Sequence, residues 1–488
     1  MKPMLSYLEN GGLDAVELVN DEYRKLELDG IAGINLTSIK NKIILPRHNL
    51  KQERGSLSLK IFALEDLSVK TYFCHMSLHL KNPWHYPILT DNENMPDFTE
   101  ASFAFSWSSQ RHPLIMAKFF RGDYNDAFTR PMRACVAGNF FYFQKNQWYQ
   151  MTLSWDKAAK SFRMYINGIL VGAEDPFFQS EFVVEECGDR LFAGNPTFCL
   201  ADIHFYDEFI DQADAAALFE STGIPVDPVT HAAFRRMHTG ENLPAFDWQP
   251  DAEWRDELTL PLTNPADLER FYVQGNQDGQ PPRITDKGLL IETYQGDPGH
   301  NFNYSEGRKH IYLMTDRAFE GDLYLEIEYQ PLKQGGLALF MFQASGMQRE
   351  DFMKDYALRT SGTMRMITRE DVRNYHWEFF RQMNDVRGDV NSTGLTKHPF
   401  QRKLGYGCYP GRLETNQWHK AQVLQIGDRF ICAVNGKVVI DARDYSDQNH
   451  GPIYSFGRVG LRCMVNTRML FRNFKVMNRK PPFTVLGK

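Results

Sequence analysis

The sequence predicts an all-β protein made of two large β-sandwich domains joined by a proline-containing linker. Three observations predict this: strand-like segments occur throughout the chain, aromatic residues make up 13% of its 488 residues, and one strand–turn–strand pattern occurs twice. Aromatic side chains pack well on a half-buried pleated surface and are therefore favoured in strands. A single sandwich reaches about 200–250 residues, so a chain of this length suits two of them.

Strand signals dominate over helix signals. Residues 55–62 (GSLSLKIF), 102–107 (SFAFSW) and 323–329 (LYLEIEY) alternate with a period of two, which is typical of strands. One short helix is predicted over residues 211–220 (DQADAAALFE), with Asp211 near its start.

An internal repeat predicts a β-meander in each half of the chain. Residues 146–148 (NQW) precede an Asn-Gly pair at 167–168, and residues 416–418 (NQW) precede a second pair at 435–436. The Asn-Gly pair favours a tight type I′ hairpin turn, because both central residues of that turn need a positive φ. Each copy is therefore expected to contain a strand, a turn, a strand, the Asn-Gly turn and a further strand.

The two domains are assigned to residues 1–222 and 258–488. Residues 223–257 contain four prolines and no sustained periodicity, which indicates a linker. Phe246, Trp248 and Trp254 are too apolar for a freely solvated tether. We expect them to anchor the linker on the domains.

Bulk composition excludes several functional classes. The net charge is −6 and no basic block occurs, so no nucleic acid is expected as a partner. No apolar run approaches the roughly 18 residues that span a bilayer, so no membrane partner is expected. The seven cysteines are odd in number and widely spaced, and they predict neither a disulfide framework nor a zinc site.

The N-terminus lacks the apolar core of a signal peptide. The expected location is cytoplasmic if the chain is complete, and periplasmic or secreted if a signal peptide has been removed. The oligomeric state is left open.

The repeated Trp–strand–strand–Asn-Gly pattern resembles the concanavalin A-like, laminin-G-type jelly roll. Residues 200–210 (LADIHFYDEFI) are similar to the closing strand of that family, and residues 457–462 and 471–476 are the corresponding strands of the second copy. This resemblance implies a jelly roll in each half. It leaves the function open, since the fold hosts lectins, hydrolases, lyases and adhesion modules.

The C-terminal half resembles more narrowly the YesU-like family of bacterial β-sandwiches. The similar segments are residues 335–342 (GGLALFMF), 374–381 (NYHWEFFR), 391–400 (NSTGLTKHPF) and 418–419 (WH). This resemblance implies work on uronate-rich polysaccharides such as rhamnogalacturonan, and it does not settle catalysis.

Residues 375–381 (YHWEFFR) are the densest group of chemically useful side chains. On a regular strand, alternation places Tyr375, Trp377, Phe379 and Arg381 on one face and His376, Glu378 and Phe380 on the other. The first face offers rings and a guanidinium for an anionic sugar, and the second offers a His and Glu pair for acid/base chemistry. The sequence does not decide which face lines a groove.

Candidate site residues follow from these types. Tyr375 and His376 are the acid/base candidates. The substrate-binding candidates are Trp377, Arg381, Asn391, Lys397, Arg359 and His300. His310 and His419 are interpreted as structural, because each lies beside an apolar run with no evident partner in the sequence.

The predicted chemistry is β-elimination, by a lyase or a dehydratase, on a uronic-acid-containing oligosaccharide. Removal of the C5 proton and loss of the C4 substituent need a base, a proton donor and neutralisation of the carboxylate. The alternative is a non-catalytic, lectin-like glycan-binding protein. A glycoside hydrolase ranks lower, because it needs two carboxylates about 5–9.5 Å apart and no laminarinase-type E-x-D-x-x-E run occurs.

The N-terminal domain carries a second candidate sugar surface and is interpreted as accessory. Residues 84–86 (WHY), Trp107 and residues 118–124 (KFFRGDY) could form this surface or belong to the core. No cofactor is required by the predicted chemistry. A structural Ca²⁺ is compatible with a laminin-G-like fold, with Asp202 or Asp123 as contributors.

Overall fold

The computed structural model describes residues 2–480 except 39–40, 66–70, 78–101, 110–111, 122–132, 142, 174–189, 276–280, 294–309, 334, 357–371, 382–391, 400–401, 410, 412, 445–450 and 465–466. The chain forms two compact units. Unit 1 covers Met1–His238, and unit 2 covers Thr239–Asp385 and Asn391–Lys488.

Unit 1 is a two-sheet sandwich. Its strands are Leu5–Tyr7 (β1), Glu17–Val19 (β2), Tyr23–Leu28 (β3), Ile31–Leu36 (β4), Lys42–Leu45 (β5), Arg54–Ala63 (β6), Thr71–Ser77 (β7), Ser102–Ser109 (β8), His112–Arg121 (β9), Arg133–Phe140 (β10), Trp148–Asp156 (β11), Ser161–Ile166 (β12), Ile169–Ala173 (β13), Leu191–Ala193 (β14) and Phe198–Tyr206 (β15). Sheet A has the order β13-β12-β11-β6-β15-β4-β3 with β1 beside β15, and sheet B has the order β10-β9-β8-β7-β14-β5-β2.

The core of unit 1 lies between these sheets. Leu59 and Leu153 of sheet A belong to one buried cluster with Leu45 and Leu191 of sheet B. A 3₁₀ turn at Glu9–Gly11 precedes β2. The helix Gln212–Glu220 (α1) begins as predicted, because the Asp211 carboxylate accepts hydrogen bonds from two amides of the first turn.

Unit 2 is a second sandwich. Its strands are Arg255–Leu260 (β16), Phe271–Gly275 (β17), Arg283–Thr285 (β18), Gly288–Glu292 (β19), Ile311–Glu320 (β20), Asp322–Pro331 (β21), Leu337–Gly346 (β22), Val372–Arg381 (β23), Ser392–His398 (β24), Arg402–Cys408 (β25), His419–Ile426 (β26), Arg429–Val434 (β27), Lys437–Arg443 (β28), Phe456–Cys463 (β29) and Arg468–Arg479 (β30). Sheet C has the order β18-β19-β30-β21-β26-β27-β28 with β16 beside β30, and sheet D has the order β17-β20-β29-β22-β23-β24-β25.

The core of unit 2 joins the inner faces of both sheets. Leu325 and Phe471 of sheet C lie in one buried cluster with Phe340 and Trp377 of sheet D. Two one-turn helices, Pro265–Leu268 (α3) and Phe352–Asp355 (α4), lie outside the sheets. The predicted all-β fold with two sandwiches is therefore confirmed.

The internal repeat has the same local structure in both units. Asn167 and Gly168 have φ of 49° and 72°, and Asn435 and Gly436 have φ of 50° and 71°, as a type I′ turn requires. In each copy the Asn side chain also accepts a hydrogen bond of 2.9 Å from the preceding strand of the meander, at Gln150 N in unit 1 and at Lys420 N in unit 2.

Residues 223–257 contain a helix that the sequence pattern did not predict, Pro228–Thr239 (α2). Its start has a proline in the first turn and the Asp227 carboxylate, which accepts a hydrogen bond of 2.8 Å from Thr230 N. Phe234 on this helix packs edge-to-face on Phe141, with ring centroids 5.5 Å apart.

The aromatic residues after this helix pack on unit 2. The Trp248 ring lies 4.7 Å from that of Tyr324 and 4.9 Å from that of Trp254. Phe246 N donates a hydrogen bond of 2.9 Å to Gly436 O. Among the helices within the described residues, none has the length and apolar character needed to span a membrane.

Candidate functional site

The two faces of strand β23 have different environments. Tyr375, Trp377 and Phe379 belong to the core cluster between sheets C and D and have no exposed area. His376 and Glu378 point to the opposite face of sheet D, directed away from sheet C, which we term the polar face.

A β-bulge alters the alternation at the end of this strand. Phe340 pairs with Trp377 and Ala338 pairs with Phe380, so two residues of β23 stand opposite Leu339. Phe380 therefore returns to the core side, and Arg381 joins His376 on the polar face. This corrects the prediction that Arg381 shares a face with Tyr375.

The polar face combines side chains from five strands of sheet D. They are Tyr312 (β20), Arg462 (β29), His376, Glu378 and Arg381 (β23), Thr396 and His398 (β24), and Lys403 (β25). The register explains their proximity, because His376 pairs with Thr396, which pairs with Lys403. Apart from Glu378 and Arg381, each of these residues is at most 7% exposed.

Arg462 is held by His310, the residue that directly precedes β20. Its Nη2 donates a hydrogen bond of 2.8 Å to His310 Nδ1, and its guanidinium lies 5.3 Å from the ring centroid of Tyr312. Because arginine only donates hydrogen bonds, His310 Nδ1 is the acceptor. His310, which the sequence analysis interprets as structural, thus has a partner: it positions a buried cation of the polar face. The sequence does not show this contact, because the two residues are 152 positions apart in the chain.

Lys403 and Arg381 surround the carboxylate of Glu378. Arg381 Nη1 lies 3.2 Å from Glu378 Oε2. Gly394 provides space for Lys403, since a methyl group at this glycine would overlap Lys403 Nζ and touch Glu378 Oε2. Burial lowers the pKa of Lys403 to about 8, although Glu378 acts in the opposite direction.

Glu378 is ionised at neutral pH. Burial acts to raise its pKa, but Arg381, Lys403 and Arg462 together hold this pKa below its ordinary value. The described residues of the polar face thus carry three cationic groups and one carboxylate. Within these residues, the polar face therefore carries an excess of buried positive charge.

His376 is a neutral imidazole at neutral pH. Burial lowers its pKa well below the ordinary value, and the neighbouring His398, Arg462 and Lys403 lower it further. The rings of His376 and His398 lie 4.1 Å apart. Within the described part of the chain, no group forms a hydrogen bond with His376 Nε2. His376 is therefore a buried, neutral imidazole whose Nε2 has no partner among the described residues.

We expect the His376→Gln variant to be less sensitive to acid than the wild type. The folded-state pKa of His376 is depressed, so below about pH 6.5 the unfolded chain takes up a proton that the folded chain excludes. Stability is therefore lost as the pH falls, by at most about 1.4 kcal/mol per pH unit for this group. Urea unfolding at about pH 7.5 and about pH 5 measures the loss. Equal losses in both proteins would contradict a buried neutral His376.

Tyr375 and Lys397 lie on the core side of sheet D. The Tyr375 hydroxyl donates a hydrogen bond of 2.7 Å to Asp444 Oδ2, and Lys397 Nζ lies 2.6 Å from the same oxygen. Lys397 also donates to the carbonyl oxygens of Gly451 and Pro452. Burial raises the pKa of Tyr375 well above its ordinary value, and Asp444 adds to this effect.

These contacts correct three assignments. Tyr375 and Lys397 stabilise the interior of unit 2, so we withdraw them as acid/base and carboxylate-binding candidates. Trp377 has no exposed area, and its indole donates a hydrogen bond of 2.8 Å to Thr393 Oγ1. It therefore offers no ring face for stacking on a sugar.

Other predicted positions lie outside the described residues. They are Asn391, Arg359, His300, residues 84–86 and Asp123. The side chains of Trp107 and of residues 118–121 also lie outside the description. Asp202, the remaining Ca²⁺ candidate, has its carboxylate 2.7 Å from Lys60 Nζ. His419 is bonded through both ring nitrogens, to Glu414 O and to the Asn435 amide.

Comparison with known proteins adds a family match within unit 2. A family model described as a domain of unknown function (DUF1961) matches residues 261–476, which include the polar face. The uncharacterized protein YesU of Bacillus subtilis (strain 168) is 19% identical over 182 residues, which are 37% of this chain and 82% of that protein. Together they confirm the predicted resemblance to YesU.

Several solved structures are similar to this chain. A protein of unknown function with a galectin-like fold from Bacillus subtilis is 17% identical, with a TM-score of 0.39 over 46% of this chain and 100% of its own. The carbohydrate-binding module CBM66 from Bacillus subtilis is 13% identical, with a TM-score of 0.27 over 42% of this chain and 94% of its own. A non-specific endo-β-1,3(4)-glucanase of family GH16 is 11% identical, with a TM-score of 0.33 over 49% and 96%.

Proposed function

We propose that unit 2 catalyses β-elimination on a uronic-acid-containing oligosaccharide bound at the polar face. The arrangement that carries this proposal is the buried His376, whose Nε2 has no partner among the described residues, beside a buried excess of positive charge. The reaction breaks the C5–H bond, forms the C4=C5 double bond and expels the oxygen substituent at C4. The leaving group is the next sugar in a lyase, or water when a terminal uronate is dehydrated.

The cations of the polar face support recognition of the uronate carboxylate. Arg462 is at most 2% exposed, and its Nε has no hydrogen-bond partner among the described residues. A guanidinium in this state would gain from a bidentate contact with a carboxylate. Lys403 adds a second positive charge. It lies on β25, whereas Arg462 lies on β29, and the strand of His376 is between these two strands in the sheet. Neutralising the carboxylate also stabilises the negative charge that develops when the C5 proton leaves.

His376 and Tyr312 fit the two proton-transfer roles. A base has to be unprotonated at the working pH, and the lowered pKa of His376 meets this condition. The Tyr312 hydroxyl lies on the same face, 3.3 Å from His310 Nδ1. We assign His376 as the base and Tyr312 as the donor to the leaving oxygen, in place of Tyr375.

Hydrolysis is less well supported by this surface. A glycoside hydrolase uses one carboxyl group as an acid and a second as a base or nucleophile. Within the described residues of the polar face, Glu378 supplies a single carboxylate, and three cations keep its pKa low. An ionised carboxylate in such surroundings is poorly suited to protonating a leaving group.

Absorbance spectroscopy tests the proposed function. Unsaturated uronate products absorb in the ultraviolet through the conjugated C4=C5 bond, so incubation with uronate oligosaccharides should produce a steady rise. Calorimetric titration of the same oligosaccharides reports binding separately. Binding without any rise in absorbance would instead identify a non-catalytic glycan-binding protein.

We expect the Arg462→Met variant to lose discrimination between a uronate oligosaccharide and its carboxyl-reduced counterpart. The wild type should bind the native oligosaccharide about 10–100-fold more tightly than the carboxyl-reduced one, because a charge-assisted hydrogen bond contributes a free energy of this size. In the variant the two dissociation constants should become similar. Arg429→Met is the control, because Arg429 is an exposed residue on β27 of sheet C. An undiminished preference in Arg462→Met would contradict the assigned role.

A further inference from the structure

Sheet C carries a cleft, and we propose that it binds a neutral sugar residue independently of the polar face. The cleft has a volume of about 430 Å³ and is lined by Thr263, Asp286, Lys287, Gln330, Trp418 and Arg472. This volume lies within the usual range for sites that hold small ligands. The cleft and the polar face belong to different sheets of unit 2.

A fixed flat surface forms one side of this cleft. The guanidinium carbon of Arg472 lies 4.0 Å from the ring centroid of Trp418. Arg472 is in turn held by Glu328, with 2.7 Å between Nε and Oε2. The indole and the guanidinium are therefore oriented before any ligand arrives, and the C–H face of a pyranose ring would pack on an indole face that the guanidinium does not cover.

The remaining lining groups supply donors and acceptors for hydroxyl groups. Gln330 Nε2 donates a hydrogen bond of 2.8 Å to Asn416 O, which fixes the orientation of the amide. Asp286 and Lys287 lie in the turn between β18 and β19 and carry opposite charges. Because Glu328 pairs with Arg472, the charges around this cleft are balanced. A neutral ligand rich in hydroxyl groups suits this lining, in contrast to the cationic polar face.

The internal repeat gives independent support. Trp148 is the equivalent of Trp418, but it is 1% exposed and its Nε1 donates a hydrogen bond of 2.9 Å to Leu28 O. It packs on Phe62, its partner across the strands, and belongs to a buried cluster with Phe219 of α1. In unit 2, Trp418 directly precedes His419, which pairs with Tyr329, and both Trp418 and the polar Gln330 line the cleft. Trp418 thus packs on the guanidinium of Arg472, whereas its equivalent in unit 1 packs on an aromatic ring.

Nuclear magnetic resonance of the full chain tests this proposal. The probes are neutral trisaccharides of glucose, galactose and rhamnose, and the readout is the indole N–H signal of Trp418, identified by its loss in Trp418→Phe. We expect at least one trisaccharide to shift this signal in a saturable manner. Calorimetry should show that Trp418→Ala weakens binding at least about fivefold, whereas Trp418→Phe retains most of it.

Two controls separate this site from the proposed function. His376→Gln should leave the trisaccharide affinity unchanged, and the indole signal of Trp254, which is 7% exposed, should not move. Circular dichroism verifies that Trp418→Ala is folded. The proposal is overturned if none of the neutral trisaccharides shifts the Trp418 signal, or if uronate oligosaccharides shift it at lower concentration than neutral ones.

Discussion

We expect the His376→Gln variant to lose the β-elimination activity by about 10²–10⁴-fold, which is the usual contribution of a positioned general base. Glutamine fills a similar volume and retains polar atoms, but it cannot accept the C5 proton at neutral pH. Arg462 and Lys403 remain in place, so binding of the uronate oligosaccharide should persist. The measurement is kcat/KM from initial rates of absorbance increase, together with the dissociation constant from calorimetry.

His419→Gln provides a matched control for this substitution. His419 belongs to the same unit but lies on sheet C, where Glu414 O and the Asn435 side chain hold its two ring nitrogens. Its replacement should leave turnover within a few-fold of the wild type. Turnover in His376→Gln equal to that in His419→Gln would contradict the role of His376 as base.

The second large effect concerns stability, and we expect Asp444→Asn to destabilise unit 2 by about 3–5 kcal/mol. Asp444 and Lys397 are paired at 2.6 Å, and their side chains are 0% and 1% exposed. Loss of the carboxylate leaves the Lys397 ammonium in the interior without its counter-ion. The Tyr375 hydroxyl loses its charged acceptor at the same time. Urea unfolding followed by tryptophan fluorescence measures the free energy of unfolding.

Asp441→Asn is the matched control for the stability effect. Asp441 pairs with Arg429 at 2.7 Å, but both side chains are nearly half exposed. An exposed ion pair contributes less than about 1 kcal/mol. If Asp444→Asn and Asp441→Asn had the same unfolding free energy, Lys397 would not depend on Asp444 as the structure indicates.

The local fold was predictable because its signals are short in range. An Asn-Gly pair needs only its own two residues to favour a type I′ turn, and both pairs form that turn. Asp211 likewise caps α1 through amides within three residues. Helix α2 is not predicted by the sequence, because the capping signal at Asp227 is weak evidence by itself.

The site is only partly predictable from the sequence. The alternation of a strand does not show which face lines a site, and it does not show where a β-bulge interrupts the alternation. Regular alternation predicts that Arg381 lies on the same face as Tyr375. The β-bulge opposite Leu339 instead places the Arg381 side chain on the same face as His376. Arg462 lies in an apolar strand that looked like a closing strand of the sandwich. Its contact with His310 depends on the order of the strands in sheet D, which no local pattern records.

The mass of the products tests the central claim most directly. One defined uronate oligosaccharide is incubated with the wild-type protein, and the masses of all products are measured by mass spectrometry. Elimination predicts fragments whose masses sum to that of the substrate, or a single product lighter by one water, each with the ultraviolet band of a C4=C5 double bond. Fragments that together are heavier by one water would show hydrolysis, and an oligosaccharide of unchanged mass would show that no elimination takes place; either result would contradict β-elimination at the polar face.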